Sequence, residues 1–97
     1  MHHIESESLE QLFDAILALR SREECSKFFE DICTIKEVLD MAQRLDVAVL
    51  LDKGVSYQAI AQQINVSTAT ISRVSRCLNY GSGGYKLALE RLEEAKK

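Results

Sequence analysis

The side chains of this chain that are best suited to chemistry are the hydroxyls and arginines between residues 67 and 76. Four residues share one face at helical spacing: Ala69, Ser72, Arg73 and Arg76. That face is small, hydroxylated and basic, and it contains no acid. Guanidinium groups pair with phosphates or guanine edges, hydroxyls meet either, and small side chains permit close approach to a DNA groove. The pattern therefore favours a DNA-binding surface.

The predicted DNA-binding set divides by expected role. The residues expected nearest the bases are Thr68, Ala69, Thr70 and Ser72. The residues expected to hold phosphates or guanines are Gln58, Arg73 and Arg76. Ser67, which stands at the start of the same helix, completes the set.

Residues 56–80 predict two helices joined by a tight turn, which would present this surface. Ser56 and Ser67 each stand where an N-cap is needed, and Asn65 tolerates the left-handed conformation that ends helices. The second helix has an inward stripe at i, i+3, i+4 and i+7, which consists of Ile71, Val74, Ser75 and Leu78. These features match a helix-turn-helix, with Asn65 in the place of the usual turn glycine. An ordinary helical hairpin in a core fits the same pattern.

The charge of the chain is distributed unevenly. The net charge is −3, yet no Asp or Glu occurs from Lys53 through Leu89. That stretch carries +4, from Lys53, Arg73, Arg76 and Lys86, so the remainder carries −7. A basic end on an acidic protein indicates where a polyanion would bind.

The rest of the inventory argues against other kinds of site. The three cysteines are odd in number and widely spaced, which predicts reduced thiols, and the two histidines are adjacent near the N-terminus. No nucleophile–base pair, metal-ligand spacing or phosphate loop occurs, so we expect neither an enzyme nor a metal site. No apolar run reaches the length of a membrane span and no signal-peptide pattern opens the chain, which predicts a cytoplasmic protein without a membrane partner.

Three capping boxes predict helices in the first half of the chain. They are Ser8 with Gln11, Ser21 with Glu24, and Thr34 with Glu37. The first helix would run to about Leu19 and the third from about Ile35 to Leu51. The third is apolar in nearly every direction in its second half, so it must be buried nearly all round. A chain of 97 residues cannot easily cover such a helix, which predicts an intertwined homodimer.

The expected fold is all-α, with six helices in one domain. Residues 1–55 would form the dimerisation core, 56–80 the helix-turn-helix and 85–97 a C-terminal helix after a glycine-rich hinge. Tyr80, Tyr85 and Cys77 are predicted to pack against apolar neighbours.

This order of elements resembles the Trp repressor family, in particular its TrpR-like YerC/YecD branch. The segment that carries the likeness is Thr34 to Gly81, TIKEVLDMAQRLDVAVLLDKGVSYQAIAQQINVSTATISRVSRCLNYG. It covers about half the chain, and its ATISR run is similar to the family's recognition helix. The resemblance implies an all-helical dimer with interlocked N-terminal helices and two DNA-reading heads.

The resemblance also implies an effector pocket, because repressors of this family bind tryptophan. The corresponding positions here are Thr34, Arg44, Arg73 and Cys77. Two departures argue against tryptophan: Val74 replaces a glycine and would crowd an indole, and Cys77 replaces a serine. Another small-molecule effector, or none, is therefore expected. Arg44 fits a surface ion pair with Asp40 equally well.

Two functions remain from this reasoning. The first is a sequence-specific transcriptional regulator, acting as a repressor, that binds a near-palindromic operator as a homodimer through the major groove. The alternative is a helical dimeric protein-interaction module without DNA binding. The acid-free stretch favours the first, because a scaffold does not need one.

Overall fold

A computed structural model describes residues 6–96 of the chain and shows helices only. The helices are α1 (Glu7–Ala18), α2 (Arg22–Ile32), α3 (Ile35–Asp52), α4 (Tyr57–Ile64), α5 (Thr68–Tyr80) and α6 (Gly84–Ala95). The predicted all-α class and the number of helices are confirmed within this range. His2 and His3 lie outside the described residues.

The chain divides into two compact units, which meet in sequence between Val38 and Leu39. In the first unit, α1 begins two residues earlier than predicted. Ser6 is its N-cap, and the Ser6 hydroxyl accepts a hydrogen bond from the Leu9 amide at 3.1 Å. The prediction of Ser8 as the cap was wrong, because two serines stand within one turn and either can begin a helix.

The other two predicted caps in this half are confirmed. Ser21 Oγ accepts from the Glu24 amide at 3.1 Å, although the Glu24 carboxylate accepts from the Arg20 amide rather than from that of Ser21. At α3 the box is reciprocal, with 3.1 Å from the Glu37 amide to Thr34 Oγ1 and 2.8 Å from the Thr34 amide to Glu37 Oε1. The Thr34 backbone bond, aided by the Thr34 hydroxyl, lowers the pKa of the Glu37 carboxyl below its usual value.

The first unit contains no buried residue in its described part. Leu17 is 80% exposed and Ile35 is 72% exposed, although both are apolar. A groove of about 300 Å³ between α1 and α2 is lined by Ser8, Gln11, Leu12, Ala15, Phe28 and Ile32. One copy of this unit therefore leaves its apolar surface in water, at a free-energy cost that a covering surface would remove.

The second unit has a continuous hydrophobic core to which four helices contribute. Its buried residues are Val47, Ala48, Ile60, Ile71, Val74, Leu78 and Leu89. Helix α5 packs on both α4 and α6, so it is the central element of this unit. The core thus holds α5 in place from two sides.

Helix α3, which the sequence predicts to be covered all round only in a dimer, is partly covered within one chain. Within one chain only Val47 and Ala48 are fully buried, and Leu39 remains 62% exposed. The chain has too few other elements in contact with this helix to cover every direction around it. At its end Gly54 adopts φ 84°, and the Gly54 and Val55 amides donate to the carbonyls of Leu51 and Leu50, both at 3.0 Å. This arrangement is a Schellman motif, which confirms glycine as the terminator.

The connection between α5 and α6 differs from the prediction at its edges. Helix α6 begins at Gly84 rather than at residue 85, after Gly83 in the left-handed region at φ 93°. A Cβ at Gly81 would collide with the carbonyl oxygen of Cys77, so this glycine lets the chain leave α5 tightly. Tyr85 packs against the core as predicted, but Tyr80 is 87% exposed and does not.

Candidate nucleic-acid interface

The turn between α4 and α5 is built by the three residues that the sequence singled out. Ser56 Oγ accepts from the Ala59 amide at 3.2 Å and so begins α4. Asn65 ends α4 in the left-handed conformation, with φ 59° and ψ 53°. Ser67 Oγ accepts from the Thr70 amide at 3.1 Å and begins α5 two residues later. These interactions are local, which is why the sequence predicted them.

Helix α5 has one face in the core and the opposite face in solvent. Ile71 and Val74 are 0% and 1% exposed, and Leu78 is buried with them. Ser75 is half-buried at the edge of this stripe. The outward residues that the structure leaves exposed are Thr68, Ala69, Ser72, Arg73 and Arg76. The predicted inward and outward faces of this helix are confirmed.

Thr70 differs from the rest of the predicted base-reading residues. It is half-buried, and its hydroxyl lies 3.0 Å from Ser67 Oγ, in a hydrogen bond that either hydroxyl can donate. Its polar atom therefore supports the N-cap of α5. Gln58 is exposed at the second position of α4, on the other helix of the pair.

The electrostatics of the exposed face are basic and uncompensated. Among residues 6–96, neither Arg73 nor Arg76 belongs to an ion pair. Salt bridges that the structure records elsewhere join exposed side chains: Lys27–Glu23 on α2, and Arg91–Glu94 and Lys96–Glu93 near the end of α6. Both guanidiniums of α5 are thus free to meet an external anion.

The structure places the predicted effector residues in different settings. Thr34 belongs to the first unit, and both its hydroxyl and its amide are used in the capping box of α3. Arg44 is exposed on α3, while Arg73 and Cys77 are exposed one turn apart on α5. The expectation that Cys77 would be buried was wrong, because it lies beyond the edge of the apolar stripe. Cys25, Cys33 and Cys77 are free thiols.

Two aromatic residues that the sequence patterns did not assign to this surface are exposed on the same two helices. Tyr57 is 41% exposed at the first position of α4, beside Gln58. Tyr80 is exposed at the end of α5, eleven residues after Ala69. Eleven residues are close to three helical turns, so the helical period places Tyr80 on the same face as Ala69. The helical period was therefore the signal in the sequence that could have identified Tyr80 as an exposed residue of this face.

Two further kinds of site have no counterpart in the part of the chain that the structure describes. From residue 6 to residue 96, no three His, Cys, Asp or Glu side chains are grouped closely enough to hold a metal ion. Over the same range, no helix combines the length and the apolar character needed to cross a membrane.

Known proteins resemble this chain over most of its length. The model of the family described as "Trp repressor protein" matches residues 7–93. YerC of Bacillus subtilis strain 168 is 50% identical over 91 residues, which cover 94% of this chain and 88% of YerC.

Two solved structures have the same fold. A TrpR-like protein from Eubacterium eligens ATCC 27750 is 50% identical, with a TM-score of 0.87 and 91% of each chain covered. A candidate Trp repressor from Staphylococcus aureus is 46% identical, with a TM-score of 0.88 and coverage of 92% of this chain and 89% of that one. The chain therefore belongs to the Trp repressor family, a family of DNA-binding regulators.

Proposed function

We propose that this protein is a sequence-specific transcriptional regulator that acts in the cytoplasm as a homodimeric repressor. The observation that carries the proposal is the division of α5 into a buried apolar face and an exposed face of hydroxyls and arginines. A helix anchored on one side and basic on the other fits the major groove of DNA. Membership of a family of DNA-binding regulators supports the same conclusion.

In the proposed complex, the start of α5 enters the major groove. Thr68, Ala69 and Ser72 lie nearest the base edges, while Ser67 and Thr70 maintain the N-cap that orients them. Gln58 on α4 and Arg73 on α5 hold the phosphates on either side of the groove. Two heads related by a twofold axis would read half-sites about one turn of DNA apart, roughly 34 Å, which makes the operator near-palindromic.

The proposed dimer is supported by apolar surface that one chain leaves exposed. Leu17, Ile32 and Ile35 of the first unit and Leu39 at the start of the second are each more than half exposed. Apolar burial contributes about 25 cal/mol per Å², so covering these side chains with a second copy would stabilise the assembly. A second copy is the occupant that also duplicates the DNA-reading head, as a palindromic operator requires.

Binding of DNA by the full chain should depend steeply on salt and on the arginines of α5. Each phosphate contact releases counterions, so the affinity falls as a power of the salt concentration. We expect Arg73→Ala with Arg76→Ala to lower the affinity for a selected operator by about a hundredfold or more, since charged hydrogen bonds contribute about 1.5–3 kcal/mol each. Fluorescence anisotropy over a range of salt concentrations measures both effects.

The control for that experiment is Arg91→Ala, which removes an exposed cation of α6 that is already paired with Glu94. It should leave the operator affinity within about twofold, because exposed ion pairs contribute little. Operator binding that survived the double change in α5 would reject the assignment of this helix and would favour the protein-interaction alternative.

We further propose that tryptophan is not the effector of this protein. Val74, which stands where the family has glycine, is 1% exposed and belongs to the core of the second unit. Its branched side chain already occupies space that an indole would need beside α5. Overfilling such a site costs about 1–3 kcal/mol, which weakens binding by about tenfold or more.

Free L-tryptophan at millimolar concentration should neither saturate the protein nor change its affinity for the operator. The double change Val74→Gly with Cys77→Ser should improve tryptophan binding, at a cost of about 1 kcal/mol for glycine inside a helix and a further cost for the lost core contacts. Isothermal titration calorimetry of both proteins decides the question. Micromolar tryptophan binding by the unmodified chain would restore tryptophan as corepressor.

A further inference from the structure

Four exposed residues of α5 lie on the side of the helix that faces away from the core: Ala69, Ser72, Arg73 and Arg76. Ala69 and Arg76 are seven residues apart, so they point in directions that differ by only about 20°. At about 100° per residue, this direction is opposite to that of Leu78, which is buried. Ser72 and Arg73 diverge from it by roughly 50°, one to each side. Ala69 and Arg76 therefore mark the central line of the DNA-reading face.

The distance along α5 from Ala69 to Arg76 can be compared with the spacing of base pairs in DNA. Seven residues of α-helix rise about 10 Å, and successive base pairs are about 3.4 Å apart. With the helix axis lying along the groove, side chains at the two ends of the line would therefore meet base pairs about three steps apart. Ser72 lies between them, beside the line.

The chemistry at the two ends is different. The methyl group of Ala69 offers apolar contact, which suits the methyl group of thymine. The guanidinium of Arg76 is exposed and unpaired within residues 6–96, and it can donate two parallel hydrogen bonds to O6 and N7 of guanine. A recognition helix brings its N-terminal residues closest to the bases, so a residue two turns later needs a long side chain to reach them. Arginine has that reach, whereas Arg73 diverges from this line by roughly 50°, which would direct it toward a phosphate strand.

We propose that Arg76 reads a guanine that lies about three base pairs from a thymine met by Ala69, and that this pair of contacts sets the preferred half-site. The inference rests on the proposed function, because it assumes that α5 enters the major groove. It assigns Arg76 to a base and leaves the phosphate contacts of this helix to Arg73.

The test is selection of binding sequences from a random DNA library by the full-length protein and by two variants. The unmodified chain should enrich half-sites with thymine and guanine about three steps apart. Arg76→Gln should change the preference at the guanine position to adenine, because glutamine pairs with N6 and N7 of adenine, and it should leave the thymine position unchanged. Arg76→Ala should lose the preference at that position and bind the original site about tenfold or more weakly.

A phosphate contact predicts a different result. Arg76→Gln would then weaken the selected site and unrelated DNA by the same factor, reduce the salt dependence and leave the base preferences unchanged, and this outcome would overturn the inference while the proposed function stands. Failure of the unmodified chain to enrich any sequence would instead reject the proposed function. Circular dichroism checks that the variants fold, which we expect because Arg76 is exposed.

Discussion

We expect the substitution Ile71→Asp to prevent folding of the second unit, whereas Ser72→Asp should leave the fold intact and remove DNA binding. Ile71 is fully buried, and Ser72, the next residue of the same helix, is exposed. Truncating a buried isoleucine already costs about 2–5 kcal/mol, and an unpaired buried carboxylate costs several more. Together these costs are comparable to the free energy of about 5–15 kcal/mol that typically stabilises a domain. At Ser72 the carboxylate stays hydrated, but it would face the DNA phosphates.

Urea unfolding followed by circular dichroism, together with anisotropy on a selected operator, separates the two outcomes. Ser72→Ala is the comparison variant at the same position, because it should fold normally and lose only the contact of one hydroxyl, without adding a charge. A folded Ile71→Asp variant would mean that α5 is not anchored through this residue. Normal operator binding by Ser72→Asp would mean that the outward face of α5 does not approach DNA.

The second large effect is expected at Leu17, where an aspartate should break the proposed dimer. In one chain this leucine is 80% exposed, so the change would be nearly neutral if the protein were a monomer. If a second copy covers α1, the change buries an unpaired charge at the interface, which typically costs several kcal/mol. We expect the variant to sediment as a monomer or to unfold at micromolar concentration, where the unmodified chain is a dimer.

Glu10→Ala on the same helix is the matched control. Glu10 is exposed in one chain and should stay exposed in the dimer, so its removal should leave the association state unchanged. Analytical ultracentrifugation of the three proteins at several concentrations gives the association state directly. A stable, folded monomer of the unmodified chain at micromolar concentration would contradict the dimer, and so would a Leu17→Asp variant that sediments like the unmodified protein. Since a monomer carries a single head, the affinity for a palindromic operator should fall when dimerisation is lost.

Several elements were predicted from the sequence because their signals are local. The N-caps at Ser21, Thr34, Ser56 and Ser67 and the left-handed Asn65 all depend on residues within four positions of each other. Such interactions form in the helix end itself and need no distant partner. The error at α1 has the same origin. Ser6 and Ser8 offer similar local signals, and only the complete helix shows which of them is used.

The candidate DNA-binding face was also predictable, because helical periodicity assigns the buried and exposed sides of α5 once its apolar stripe is recognised. The orientation of single side chains within that face was not. Thr70 was expected to read bases, and its hydroxyl is engaged with Ser67 instead. Tyr80 was expected to pack and is exposed, because it lies close to three helical turns after Ala69 and so on the outward side of α5.

By itself, the sequence determined the helices, their caps, the acid-free basic stretch and the inward stripe of α5. These properties follow from backbone geometry, periodicity and charge over short distances. The tertiary structure decided which apolar residues become buried. Val47 and Ala48 enter the core of the second unit because α4, α5 and α6 contribute to the same core, whereas Leu17 and Leu39 find no cover within one chain. Burial depends on residues that are distant in sequence, so a local pattern can identify an apolar surface but cannot say what covers it.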